Sequence, residues 1–188
     1  MNKKNKKNLI LKGSIKLFAE FGYGCTSVDD ISKKVNVAKG TIYNYFDSKE
    51  AILEAILKKH EEYFSANVND LLEKYDVFED FLFNCLNMVF DYFSINIDEL
   101  RVINSIIYLD NKDSKDFYNM HHNILLCKNR GISKFVDNGQ ISEDDIDFLH
   151  IIFWGMVTEL VFFGDRNNKR YSVIKLKKII KNIIGAKK

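Results

Sequence analysis

The chain has 188 residues, 46% of them apolar and 13% aromatic, which suits one or two domains with a packed core, and its formal charge is only +2. Residues 1–49 hold ten lysines against four carboxylates, an excess of six positive charges, so the remainder is net negative by four. Cys25, Cys85 and Cys127 form no C-x-x-C pair, and the basic opening MNKKNKKNLILKG lacks the apolar core and cleavage site of a signal peptide, which argues against a disulfide framework and for reduced thiols in the cytoplasm.

Prolines are absent, glycines are few and apolar residues recur at spacings near 3.6, so the expected fold class is all-α. The basic opening reads as an arm leading into the first helix. That helix carries Ile10, Leu11, Ile15, Leu17, Phe18 and Phe21 mostly on one stripe and stops at Gly22, suited to a left-handed cap. Thr26 is the expected N-cap of a second helix, with Asp29 and Asp30 in its first turn and Val28, Ile31 and Val35 on its inner side. Asn36, the non-glycine residue that best tolerates positive φ, should end it and turn the chain into a third helix.

That third helix is expected from Lys39 to Phe46, although TIYNYF is built of β-formers, because Ile42 and Phe46 fall on one buried face. Ala38, at its N-cap, has no side-chain acceptor. Lys39, Gly40, Thr41, Tyr43, Asn44 and Tyr45 then point outward, offering hydroxyls, an amide, flat rings and one positive charge; for each tyrosine the alternative is partial core packing. Two helices joined by a tight turn, the second polar on its surface, form a helix-turn-helix.

The stretch IKLFAEFGYGCTSVDDISKKVNVAKGTIYNYFDSKEAIL resembles the DNA-binding domain of TetR family transcriptional regulators along its whole length. The match runs through Phe18, Gly22, Thr26, Ile31, Gly40, Thr41, Tyr43, Phe46, Lys49 and Glu50. It departs from the family at Asn36, where glycine is usual, and at Ser32 and Val35, where alanine is common. The resemblance implies a three-helix DNA-binding domain over 1–47, with Thr26, Lys39, Gly40, Thr41, Tyr43, Asn44, Tyr45 and Lys49 as its DNA-binding residues. Asn44 suits a bidentate contact with adenine, Thr41 and the tyrosines suit phosphates or thymine methyls, and Lys49 suits a phosphate. It also implies a helical bundle over 48–188 that binds ligand and dimerises.

Asp47 and Glu50 form a D-x-x-E cap for a fourth helix that runs to about Tyr75. The next, from Phe78 to Phe93, is apolar almost all round, as a central bundle helix would be. Its Asn84, Asn87 and Asp91 are either exposed or locally satisfied, or else they line a cavity. Further helices are expected over 99–108, 114–136, 144–163 and 172–184, with breaks at 111–113, 137–139 and 164–168. Phe148 to Phe163, interrupted by Gly155, Thr158 and Glu159, is shorter than the about 20 apolar residues a membrane span needs, so no membrane is implied.

An effector pocket, if the aromatic body is not a solid core, would use Phe81, Asn87, Phe90, Asp91, Phe93, Tyr108, Phe117, Tyr118, His121 and Trp154. Apolar positions on more than one side of the last two helices suggest a dimer interface through Trp154, Val157, Leu160, Val161, Ile179, Ile180 and Ile183, the role this helix pair has in the family. Catalysis finds little support. Asp147-x-x-His150 is unpaired, His121 and His122 diverge by about 100° on a helix, and there is no phosphate loop, so no metal or cofactor is expected. The expected protein is a homodimeric repressor of a palindromic double-stranded DNA operator, released by a small apolar or amphipathic molecule. A regulator answering to a protein partner, and a constitutive DNA binder, remain open.

Overall fold

The computed structural model describes residues 3–107, 132–163 and 178. Among them every regular element is helical: α1 (Lys3–Phe21), α2 (Val28–Val35), α3 (Lys39–Tyr43), α4 (Lys49–Lys74), α5 (Phe78–Ile95), α6 (Ile97–Ile107), α7 (Ser133–Asp137) and α8 (Asp145–Phe163). The helix expected over 172–184, apart from Lys178, most of that over 114–136, and the breaks at 111–113 and 164–168 lie outside the described residues. The basic opening is not an arm, since α1 is already helical at Lys3.

Two compact units divide the chain. The first, Met1–Glu62 with Asn96–Met120, joins α1, α2, α3 and the first part of α4 to α6. The sequence-based boundary at residue 47 assigned α6 to the body, whereas α6 packs against α1. The cause lies in α1, which buries two adjacent stripes, Ile10, Ser14 and Leu17 beside Leu11, Ile15 and Phe18. Helix α2 contacts α1, and α6 brings its own buried Leu100, Val102, Ile103 and Ile106 to the same helix. Phe21, expected on the buried stripe, is 56% exposed at the last helical position, just before Gly22 turns the chain at φ +85°.

A buried polar pair ties α4 to α6 within this unit: His60 Nε2 lies 3.1 Å from Glu99 Oε2. Burial pushes the His60 pKa down to about 4, against the opposing pull of the Glu99 carboxylate. The unfolded chain would protonate near the ordinary 6.5, so between these values the unfolded state binds the extra proton. Stability from this site is therefore fully present above about pH 6.5 and is lost as pH falls toward 4. Urea melts should show the protein about 2 kcal/mol weaker near pH 5 than near pH 7, and His60→Gln should remove most of that dependence. An unchanged pH dependence in His60→Gln would assign it to other groups.

The second unit, Tyr63–Ile95 with His121–Lys188, is centred on α5 and α8. Helix α5 is less uniformly buried than its composition suggests. Phe78, Phe81, Leu82, Cys85, Leu86, Val89, Phe90 and Phe93 form one inner stripe, and Asn84 is satisfied locally by donating to the Asp80 carbonyl at 2.7 Å. Lys134 of α7 donates to the carbonyls of Leu72 and Tyr75 at the end of α4, where a cation suits the exposed C=O groups. The Gln140 amide accepts from the Phe78 N–H at 2.7 Å and donates to the Asp76 carbonyl at 2.9 Å, which holds the α4–α5 turn.

Candidate nucleic-acid interface

The surface formed by α2 and α3 is set by its caps. Ser27, not Thr26, caps α2: the Asp30 N–H donates to Ser27 Oγ at 3.2 Å and the Ser27 N–H donates to Asp30 Oδ2 at 2.9 Å. The Ser27 bonds hold the Asp30 carboxyl below its ordinary pKa. Thr26 is buried, its hydroxyl directed at the carbonyls of Gly22 (2.9 Å) and Leu17 (3.4 Å). Its side chain fastens the α1–α2 turn.

At the other end of α2, Asn36 takes φ 52° and ψ 53°, the left-handed turn expected of it. Helix α3 is shorter than the expected Lys39–Phe46, ending at Tyr43 with Asn44 as its C-cap. The chain continues as a single hydrogen-bonded turn, in which the Phe46 N–H reaches the Ile42 carbonyl at 3.0 Å. Ile42 and Phe46 are both buried, so the burial that overrides the β propensity of TIYNYF acts as expected. Ala38 caps α3 without a side-chain bond.

Gly40 and Asn44 are exposed, Thr41 and Tyr45 half-buried, and Tyr43 is 45% exposed, so its ring belongs mainly to the surface. Gly40 has no internal cause. It is helical without positive φ, and a Cβ built there would meet nothing within 4 Å. A glycine that costs helix stability with no packing or backbone need leaves room for another molecule to approach the main chain.

The two lysines expected to meet DNA both have protein partners. Lys39 Nζ lies 2.9 Å from Asp29 Oδ2, and this contact holds the Lys39 pKa above its ordinary value. Lys49 donates to the Tyr23 carbonyl at 2.8 Å and sits 4.3 Å from the Tyr23 ring centroid. The Tyr23 hydroxyl in turn donates to Glu50 Oε1 at 3.0 Å. The Glu50 pKa is lowered by its own backbone N–H, then by the Ser48 and Tyr23 hydroxyls. Ser48, not Asp47, caps α4 by accepting from the Ala51 N–H at 3.1 Å. Sequence reasoning missed Ser27, Ser48, Tyr23 and the Asp29 partner; only S-x-x-D, Ser27 to Asp30, left a local signal.

The expected pocket residues divide. Phe81 packs between Phe78 and Phe135 at ring separations of 6.3 and 5.3 Å, and Phe93 lies 5.6 Å from Phe64 and 6.1 Å from Trp154. These rings fill one another's space. Phe90 is buried, Asn87 and Trp154 are half-buried, and Asp91 is exposed. Tyr108, Phe117, Tyr118 and His121 lie outside the described residues. Of the expected interface, Val157 and Val161 are buried on the same stripe as Phe153, in the core of their own unit, because that stripe faces inward. Leu160 is half-buried, and Ile179, Ile180 and Ile183 lie outside the described residues. Helix α8 instead exposes Ile151, Gly155 and Glu159 at four-residue spacing. Among the described residues no group of His, Cys, Asp or Glu is placed to share a metal, and no helix is long and apolar enough to cross a membrane.

Comparison with known proteins agrees with this geometry. Residues 10–56 match the family model of bacterial regulatory proteins, tetR family. The chain is 31% identical over 153 residues to the biofilm operon icaADBC HTH-type negative transcriptional regulator IcaR of Staphylococcus aureus, covering 78% of this chain and 77% of that protein. A Clostridium perfringens protein provisionally named a fatty acid metabolism regulator superposes with a TM-score of 0.77 at 26% identity, covering 94% of this chain and 97% of that one. The Bacillus subtilis transcriptional regulator FadR, solved in complex with stearoyl-CoA, gives 0.71 at 21% identity over 94% of this chain and 96% of that one.

Proposed function

The chain belongs to the TetR family of bacterial transcriptional regulators, and on that basis we propose that it is a repressor that binds a palindromic operator as a homodimer and is released by an amphipathic small molecule. The observation that carries the reading is α3, which buries Ile42 and turns Gly40, Thr41, Tyr43 and Asn44 outward beside a well-capped α2. One short helix covers little DNA, and a two-fold pair sets two such helices about 34 Å apart, in successive major grooves. IcaR is by name a negative regulator, which supports repression.

For the partner surface, the stripe Ile151, Gly155 and Glu159 of α8 is favoured over Val157 and Val161, since the latter are already used within the protomer. Ile151 is 60% exposed, and Gly155 has nothing within 4 Å of a built Cβ, so a second helix could approach closely there. For the effector, the FadR complex with stearoyl-CoA makes a long-chain acyl-CoA the first probe.

Sedimentation at micromolar concentration should give a dimer, and titration of selected operator DNA should saturate at two chains per duplex. Stearoyl-CoA, titrated with and without operator, should bind more weakly when operator is present, because coupling between two sites is reciprocal. A monomer binding DNA one to one would overturn the dimer. Acyl-CoA affinity indifferent to operator would overturn that effector.

A further inference from the structure

We infer that Asp29 is a positioning residue, which holds the Lys39 ammonium away from DNA phosphates and so weakens binding to any duplex. The inference rests on the reading of α3 as the DNA-facing helix. Asp29 is the second residue of α2 and Lys39 the first of α3, so the tight turn at Asn36 brings together side chains ten positions apart. Their charged atoms are 2.9 Å apart, with the two side chains 48% and 52% exposed for Lys39 and Asp29 respectively.

The neighbouring carboxylate has a different task. Asp30 closes the capping box with Ser27, so the needs of the α2 N-terminus are met without Asp29. The Asp29 carboxylate is left to act on Lys39, which immediately precedes the exposed Gly40.

An exposed ion pair is weak, and a phosphate can compete for its lysine. The exchange still brings little gain, because Lys39 gives up one anion for another. On random DNA, where affinity is almost wholly phosphate contact, Lys39 therefore contributes nothing net. Phosphates flank cognate and random sequences alike, so the pair lowers affinity for both and leaves the base contacts of α3 unaffected.

The test uses the full chain and a random-sequence duplex, with affinity measured against sodium chloride for wild type, Asp29→Asn, Lys39→Ala and the double variant. Lys39→Ala should leave the wild-type log–log salt slope unchanged. Asp29→Asn should steepen it by about 0.9, so that affinity falls about three- to fourfold more between about 50 and about 200 mM salt. The double variant should return to the Lys39→Ala slope. Asp29→Ser, which also suits a first helical turn, should behave as Asp29→Asn does. On duplexes the wild type selects from a randomised pool, Asp29→Asn should steepen the slope by the same amount, because a phosphate contact carries no sequence information. The proposal is overturned if Lys39→Ala flattens the wild-type slope, if Asp29→Asn and Asp29→Ser leave it unchanged, or if Asp29→Asn steepens it equally without Lys39. Failure of the wild type to bind any duplex at low salt would instead remove the DNA reading itself.

Discussion

Replacing Gly13 with alanine should destabilise the first unit by about 1–3 kcal/mol, although the same change inside most helices stabilises by about 0.5–1 kcal/mol. A Cβ at Gly13 would lie 2.2 Å from Val35 Cγ1, well inside any real contact distance. Val35 is buried and β-branched, so it has little rotamer freedom with which to withdraw. Relief must come from a shift of α1 against α2, the helix whose C-cap launches α3. DNA affinity should therefore fall along with stability.

Val35 is also one of the two positions where this chain carries a residue bulkier than the alanine common in the TetR family, and the glycine opposite it makes room for the extra methyl groups. Val35→Ala alone should destabilise by removing buried carbon, about 0.8 kcal/mol for each methylene-sized group. In the Gly13→Ala background the same change should restore stability, with a coupling energy of about 1 kcal/mol or more in urea melts of the four proteins. Additive losses would mean that the two side chains do not compete for one space.

The turns and helices from α1 to α3 are readable from the sequence because their signals are local. Gly22 and Asn36 supply the two left-handed turns, and Ile42 and Phe46 the spacing that holds TIYNYF in a helical turn. The caps fell one residue early in both places, since Thr26 and Ser27, like Asp47 and Ser48, are adjacent residues able to cap. Burial decides the first case: Thr26 is drawn inward to the carbonyls of Leu17 and Gly22, which leaves Ser27 at the helix end.

What sequence did not reveal depends on contacts between distant residues. Nothing local to 97–107 indicates that α6 packs on α1, and nothing local to Lys39 or Lys49 indicates Asp29 or the Tyr23 carbonyl as partners. Lys49 in particular changes meaning. As a point charge on DNA its loss would flatten the salt slope, but as a donor to the α1–α2 turn it also fixes where α4 begins. Helix α8 is apolar on several sides in its composition, yet only packing distinguishes the inward Val157 and Val161 from the outward Ile151 and Gly155.

Asn44→Ala should cost about 1–3 kcal/mol on the cognate operator, a loss of roughly five- to 150-fold, with little change on random DNA. Asn44 is exposed at the C-cap of α3, where its amide can present both a donor and an acceptor to an adenine edge. Its removal leaves the buried Ile42 and Phe46 and the Ser27 cap untouched, so the fold should persist and only recognition should change. The most direct measurement is enrichment of duplexes from a randomised pool by the wild type and by Asn44→Ala, followed by affinities on selected and random DNA. The wild type should enrich a palindrome whose half-sites lie about one helical turn apart, and Asn44→Ala should relax one base position in each half-site. Equal loss of affinity on selected and random duplexes, or no loss on either, would contradict base reading by α3.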